Sequence, residues 1–279
     1  MTDDARAGLC ASCAFVSRVR SDRDSVFYRC GYSAQSPAFP RYPTLPVLRC
    51  RAYEPRVVPK PRAMVSWSGG KDACVALHRV RADLDIVAAL TMMDESGTRS
   101  RSHGLRADVL RAQTEAMNLT WMTRSCGWDD YEARFIDALH NARAAGISTL
   151  VCGDILYPEH RAWVESVCAA AGLVAVEPLF GSTTIEVYRE FLRIGGSARI
   201  IAAEARTLGE TWLFRPLDEA VADELIGLGV DPCGENGEYH TLVTNCPAFA
   251  RALAVAPGEH VLHRGYWAVD VQLASTPPQ

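Results

Sequence analysis

Three stretches of this chain hold residue types that do chemistry together. Ser68-Gly69-Gly70-Lys71-Asp72 combines a hydroxyl, two glycines, an ammonium and a carboxylate. The glycines allow a tight turn and close approach to a ligand, and the ammonium is a compact point charge suited to phosphate. Gly234-Glu235-Asn236-Gly237-Glu238-Tyr239-His240-Thr241 places two carboxylates and an imidazole within six residues. If this segment runs into a strand, Glu238 and His240 share one face. Such a group could hold Mg²⁺ through water, bind an amine or ammonia, or accept a proton. The third stretch holds Cys10, Cys13, Cys30 and Cys50, four of the ten cysteines, within the first 50 residues. Four thiolates suit Zn²⁺ or a [4Fe–4S] cluster.

The elements that must position these groups follow from the hydrophobic pattern. Residues 1–60 are rich in Pro, Arg and Cys, without a helical period, and end in a stiff linker at Pro55, Pro59 and Pro61. From Ala63 onward strands and helices alternate. Strands are expected near 63–67, 85–93, 119–123, 148–152 and 173–176, with helices from the glycine turn to about 80, then over 105–117, 131–145 and 159–171. This rhythm predicts an α/β fold, a Rossmann-like parallel sheet covered by helices. Beyond residue 180 a smaller α+β domain is expected. It has helices over 184–194 and 217–228, a strand over 198–203, a Gly-rich loop over 229–240, and strands near 251–255 and 268–273. The expected domains are thus 1–60, 61–180 and 181–279.

Composition narrows the function classes. The chain has 279 residues, 48% hydrophobic and 22% charged, with a net charge of −4. The acidic balance argues against a general nucleic-acid partner. No apolar run is long enough to span a bilayer, and the Met1-Thr2-Asp3-Asp4 start has no apolar signal core, so a cytoplasmic protein is expected. A homo-oligomer is left open. Of 29 basic residues only Lys60 and Lys71 are lysines. Lys60 falls in the linker. Lys71 falls in the glycine loop, where a guanidinium would crowd the turn, so Lys71→Arg is expected to fold and to lose turnover.

The loop after the first sheet strand lies where open α/β sheets bind ligands, and the helix behind it offers a positive N-terminus. It is neither a Walker A loop nor a dinucleotide fingerprint. Ser68-Gly69-Gly70-Lys71-Asp72 resembles the PP-loop of the ATP pyrophosphatases, with Ala73 where a serine is usual. Gly153-Asp154-Ile155 with Glu159-His160-Arg161, Trp163, Glu165 and Cys168 resembles a second element of one branch. The Gly229–Thr241 segment and Ser102-His103-Gly104 resemble two more. Together these resemble the diphthine–ammonia ligase family over about residues 62–250. Leu213-Phe214-Arg215 and Asn245-Cys246-Pro247 depart from its pattern.

The resemblance implies an ATP-dependent ligase that adenylates a carboxylate, releases pyrophosphate and transfers ammonia or an amine. The acceptor is diphthine in the family, and a small molecule or a modified protein side chain in general. It implies ATP and Mg²⁺ as ligands. Ser68, Gly69, Gly70, Lys71, Asp72, His103, Gly153 and Asp154 would bind ATP. Gly234 to Thr241 (Glu235, Asn236, Gly237, Glu238, Tyr239 and His240 between) would face the substrate. Lys71, Asp72, Glu235 and Glu238 would be catalytic. The residues alone leave Asp154 either facing the crevice or capping the next helix, and Cys233 either a nucleophile or a packing thiol. The second reading is a tRNA-modifying PP-loop enzyme of thiolase type with a metal module, and the third is a nucleotide-sensing protein without catalysis.

The amino-terminal cysteines stand apart from that resemblance. Their spacing, one Cys-x-x-Cys pair and two single residues, resembles a small high-potential iron–sulfur module as much as a zinc finger. A segment with so little regular core is expected to need a metal to fold.

Overall fold

The computed structural model describes residues 6–274. The chain divides into two compact units, with the boundary between Pro59 and Lys60.

The first unit contains a hairpin, β1 (Val16–Arg20) antiparallel to β2 (Val26–Cys30), which the sequence pattern does not predict. Its strands are mostly exposed, so the inside–outside alternation that marks a strand is weak. Cys10 lies in a 3₁₀ turn, Leu9–Ser12.

The second unit is built on a five-stranded parallel sheet in the order β5–β4–β3–β6–β7. The strands are β3 (Arg62–Ser66), β4 (Asp85–Met93), β5 (Thr120–Ser125), β6 (Thr149–Val151) and β7 (Val174–Val176). The middle of β3 is buried on both faces, as Ala63, Met64 and Val65 show, which explains its unbroken apolar run. Helices α1 (Lys71–Val80), α2 (Ala107–Ala116), α3 (Tyr131–Ala144) and α4 (Pro158–Ala171) connect the strands. The α4 helix has Pro158 in its first turn and stops at Gly172, whose φ of 72° only glycine adopts at little cost.

The order reverses at β3: the chain leaves it towards β4 on one side and returns to β6 on the other. The loops after β3 and β6 therefore splay apart at the carboxyl edge. This is the crevice where α/β sheets bind ligands, and it receives Ser68–Asp72 and Gly153-Asp154.

Helix α5 (Thr184–Arg193) opens with a capping box from Thr183 and Glu186. It leads to an antiparallel sheet, β10–β11–β8–β9, with α6 (Glu219–Gly227) between β8 and β9. Its strands are β8 (Ser197–Glu204), β9 (Tyr239–Asn245), β10 (Val255–His263) and β11 (Tyr266–Leu273). Two expectations change here. The strand placed at 251–255 only begins at Val255 and continues as a long hairpin partner of β11. The end of the Gly-rich segment is itself strand β9, paired with β8. One core runs under both sheets of this unit, from Ala63 and Val65 to Leu242 and Val271. Among the described residues, no helix is long and apolar enough to cross a membrane.

Candidate functional site

Helix α1 starts without a side-chain cap of its own, because Gly70 occupies the cap position. Its first backbone N–H, that of Lys71, donates instead to Thr241 Oγ1 at 3.1 Å. The cap thus comes from β9, 170 residues away, and Thr241 is 2% exposed. Val243 N–H donates to the Gly69 carbonyl at 2.9 Å. Gln113 on α2, fully buried, donates to the carbonyls of Gly69 (3.1 Å) and Val243 (2.7 Å) and accepts from Trp67 Nε1 at 2.9 Å. The glycine loop is therefore fastened to β9 on one side and α2 on the other. Gln113 carries no motif signal, since a lone glutamine inside a helical pattern looks like a surface residue.

The glycines are needed for space. Gly69 has φ of +85°, and a methyl on it would meet the Leu105 side chain at 2.6 Å. A methyl on Gly70 would come within 2.5 Å of the His103 ring. Gly234 has φ of +70° and lies against the Tyr239 carbonyl.

Lys71 is 1% exposed. Its Nζ donates to Asp72 Oδ2 at 2.9 Å and to the Cys233 carbonyl, and it lies 5.2 Å from the centre of the Tyr239 ring. Burial opposes the ammonium, but Asp72 beside it prevails and holds its pKa well above the ordinary lysine range. The charge therefore ties the glycine loop to the Cys233–Glu235 turn. The other oxygen of Asp72, Oδ1, is buried without a hydrogen-bond partner.

The turn itself is internally braced. Asp231 Oδ1 accepts from the N–H groups of Cys233 and Glu235 at 2.8 and 3.2 Å, and Thr184 Oγ1 donates to its Oδ2 at 2.6 Å. Glu238 accepts from the N–H groups of Asp231 and Asn236 and from the Asn236 side chain. Its carboxylate is thereby engaged in shaping the turn. Asn236 Oδ1 accepts from Tyr157 at 2.7 Å, and Tyr239 donates to the Pro232 carbonyl. The Cys233 thiol donates to the Thr184 carbonyl at 3.1 Å, and burial pushes its pKa far up, which suits a packed thiol and not a thiolate nucleophile.

These pieces surround a cavity of about 320 Å³. Lys71, Asp72, His103, Asp154, Glu235 and His240 line it, with Gly234, Gly237, Tyr157 and Thr241. Burial, reinforced by Asp72, raises the Glu235 carboxyl to about 7. Burial also raises Asp154, partly offset by His160, whose Nδ1 lies 3.6 Å away. The rings of His103 and His240 stack at 4.6 Å. Burial is the main cause that depresses both: His240 falls to about 4 through burial and Lys71, and His103 falls well below its usual range through burial, His240 and Lys71. His103 is thus neutral near pH 7, and its Nδ1, 3.2 Å from the Thr241 carbonyl, carries the proton.

A second cavity, about 640 Å³, adjoins at Asp154 and His160. Trp128, Tyr131, Phe135 and Trp163 form its wall, with Ser66 and Cys152 at the strand ends. Motifs give no sign of it, because its rings come from α3, α4 and the loop before α3 and meet only in the fold. Glu177 is equally silent in the sequence. It follows β7, its Oε1 is buried without a hydrogen-bond partner, and burial lifts its carboxyl to about 7. Glu159 and Glu165 are exposed on α4.

Of the cysteine set, Cys10, Cys13, Cys30 and Cys50 line one small cavity in the first unit. Burial raises the Cys10 thiol, and the other three cysteines add to the rise. Among the described residues no three His, Cys, Asp or Glu side chains come close enough to hold a single metal ion.

Comparison with known proteins finds a family and relatives for the second unit. The model of the diphthamide synthase N-terminal domain matches residues 61–175, and that of the C-terminal domain matches 183–275. Proteins named diphthine–ammonia ligase align as relatives. That of Schizosaccharomyces pombe is 27% identical over 70% of this chain and 36% of its own length. This chain thus spans about a third of that protein. The Rattus norvegicus protein is 25% identical over 70% of this chain and 83% of its own. The human protein is 34% identical over 40% of this chain and 43% of its own. Among solved structures, a chain described as a predicted subunit of tRNA methyltransferase from Methanocaldococcus jannaschii superposes loosely. Its TM-score is 0.35 and its identity 12%, over 67% of this chain and 98% of that one. From Pro61 onward, with both domain models matched in order, this chain belongs to the diphthamide synthase family.

Proposed function

We propose that the chain is an ATP-dependent ligase of the diphthine–ammonia ligase type. It adenylates a substrate carboxylate, releases pyrophosphate, and transfers ammonia or an amine to the acyl group with release of AMP. One observation carries this reading: the loop after β3, the loop after β6 and the Gly234–Thr241 turn share the walls of one cavity.

The phosphates of ATP belong over Ser68–Asp72, at the positive end of α1. His103 and Asp154 border the same space, Gly153 packs behind it against the first turn of α1, and the aromatic-lined cavity beyond Asp154 suits the flat adenine. The unpartnered oxygen of Asp72 and the carboxylate of Asp154 are hard oxygen donors of the kind Mg²⁺ takes. Mg²⁺ in such sites is usually held by one or two carboxylates together with the phosphates. Mg²⁺ bound there would neutralise charge on the departing pyrophosphate.

In the first step a carboxylate oxygen attacks the α-phosphorus, and the bond to the β-phosphate oxygen breaks. In the second, ammonia nitrogen attacks the acyl carbon, the carbon–oxygen bond to AMP breaks, and a proton leaves the nitrogen. Glu235 takes that proton. Its carboxyl, held near 7, is matched to a neutral operating pH. The Lys71 ammonium pairs with Asp72 and holds the Glu235 turn against the loop. Glu238 shapes that turn. Neutral His103 and His240 offer ring nitrogens without adding positive charge.

The acceptor is a carboxylate on a small molecule or on a modified protein side chain. The test is pyrophosphate release with purified protein, ATP and Mg²⁺ across a panel of carboxylates, with and without ammonium. Release requiring both co-substrates supports the reading. ATP binding with no turnover across the panel would replace it with a nucleotide-sensing role.

A further inference from the structure

The net charge of −4 combines two unlike parts. The first unit, Met1–Pro59, holds nine basic and five acidic side chains, a balance of +4. The second holds 20 basic and 28 acidic side chains, a balance of −8. Such an asymmetry within one chain points to an anionic partner for the basic part, which the whole-chain average conceals. All nine basic side chains of the first unit are arginines. Three lie over aromatic rings: Arg18 over Tyr28 at 5.6 Å, Arg41 over Tyr42 at 5.9 Å and Arg51 over Phe39 at 5.1 Å.

The β1–β2 hairpin gives this charge a shaped surface. Val16 and Tyr28 belong to the buried cluster of the unit. Strand alternation therefore turns Ser17, Val19, Phe27 and Arg29 to the opposite face, where the register sets Val19 against Phe27 and Ser17 against Arg29. Phe27 is 49% exposed and Val19 38%, so the face offers an apolar platform to solvent. The Cys30 N–H donates to the Arg41 carbonyl at 2.8 Å. This brings Arg41 and the exposed Tyr42 to the end of β2 that carries Arg29. The acidic side chains Asp22 and Asp24 stand at the other end, in the turn, where Asp24 pairs with Arg20 at 3.3 Å.

Solvent-facing rings among guanidinium groups match the chemistry of a single-stranded nucleic acid. Bases stack on the rings, and phosphates pair with the arginines. An anionic bilayer would draw instead on a broad apolar face, whereas Val19 and Phe27 are the exposed large apolar side chains of this hairpin.

We propose that the outer face of the β1–β2 hairpin, with Phe27, Arg29, Arg41 and Tyr42, binds single-stranded nucleic acid. The experiment uses the full chain and fluorescein-labelled uridine and thymidine oligomers of about twelve nucleotides. Anisotropy is followed with excess ATP present to fill the phosphate site of the second unit. Binding is expected, with log K falling by about 0.7 per phosphate contact for each tenfold rise in salt. The oligomer bound more tightly identifies RNA or DNA as the source. Phe27→Ala should weaken binding about tenfold through loss of a ring–base stack, and Arg29→Ala should reduce the salt slope by about 0.7. Both side chains are exposed, so the fold should survive. Arg143→Ala, on the surface of α3, should change neither quantity. Absence of binding to both oligomers by the wild-type chain overturns the proposal. Binding that Phe27→Ala leaves unchanged also overturns it, as charge attraction alone, and so does capture by phosphatidylserine vesicles with none by the oligomers. Turnover is not read, so the result stands apart from the ligase reading.

Discussion

Gly153 stands against the first turn of α1 with no room for a side chain: a methyl on it would lie 2.9 Å from the Asp72 carbonyl carbon and from the Ala73 nitrogen. The loop after β6 and the glycine loop after β3 are thus in backbone contact. The two sides of the switch point cannot be moved apart or padded without shifting Asp72.

Gly153→Ala tests that contact. Backbone atoms cannot swing aside as a side chain can, so the added methyl should cost about 1–3 kcal/mol of stability. Turnover should fall at least tenfold even where the protein remains folded. Thermal unfolding and pyrophosphate release measure the two effects. Unchanged turnover would mean that Asp72 tolerates displacement.

Lys71 gives a second prediction. The sequence alone suggests that Lys71→Arg folds normally, but the ammonium is enclosed by Asp72, the Cys233 carbonyl and Tyr239. A guanidinium should therefore lose stability as well as turnover. Lys71→Met should cost about 3 kcal/mol, because it strands the carboxylate of Asp72. Denaturant unfolding checks both. A Lys71→Arg protein of normal stability and activity would show that the enclosure is looser than described.

The third prediction concerns Thr241. Thr241→Val keeps the shape and removes the oxygen that accepts from Lys71 N–H. The expected loss is about 1 kcal/mol, the usual value for a helix cap, together with weaker ATP binding. Isothermal titration with a non-hydrolysable ATP analogue reads the second effect. An unchanged affinity would separate the cap from the nucleotide site.

Protonation of Glu235 yields a fourth prediction in two parts. As a base it must be ionised, so kcat/KM should rise with pH through about 7, and Glu235→Gln should abolish most amide formation while sparing ATP binding. The stability effect has the opposite sign. The folded-state pKa is raised above the ordinary 4.5, so the folded protein binds more protons than the unfolded chain between about 4.5 and 7. Stability is therefore lost as pH rises through that window. Glu177 contributes in the same sense. Glu235→Gln should flatten part of this slope, by on the order of 1–3 kcal/mol at pH 8. Melting curves from pH 5 to 8 decide it, and an identical slope in the variant would contradict the assignment.

The βα rhythm from Ala63 to Val176 was legible because its central strands are largely apolar and two of its helices stop just before Gly146 and Gly172. The glycine loop, Gly153-Asp154 and the Gly234–Thr241 turn were legible as motifs. Their joining was not. The cap from Thr241, the clamp by Gln113 and the inward turn of Lys71 are contacts between segments more than 40 residues apart. No local pattern records such partners. The β1–β2 hairpin was hidden for another reason: most of its positions are exposed, the apolar Val19 and Phe27 among them, so the alternation that marks a half-buried strand is missing. Glu177 and the rings of Trp128, Tyr131 and Trp163 look ordinary in sequence, and acquire meaning only at the carboxyl edge of the sheet.

The central claim is adenylation of a carboxylate at the shared cavity, and carboxylate-dependent exchange of labelled pyrophosphate into ATP tests it most directly. With Mg²⁺ and no ammonium, the adenylate should form and revert, so label should enter ATP only when the right carboxylate is present. Addition of ammonium should then drain the intermediate to amide and AMP. Formation of ADP and phosphate with no exchange would contradict the account.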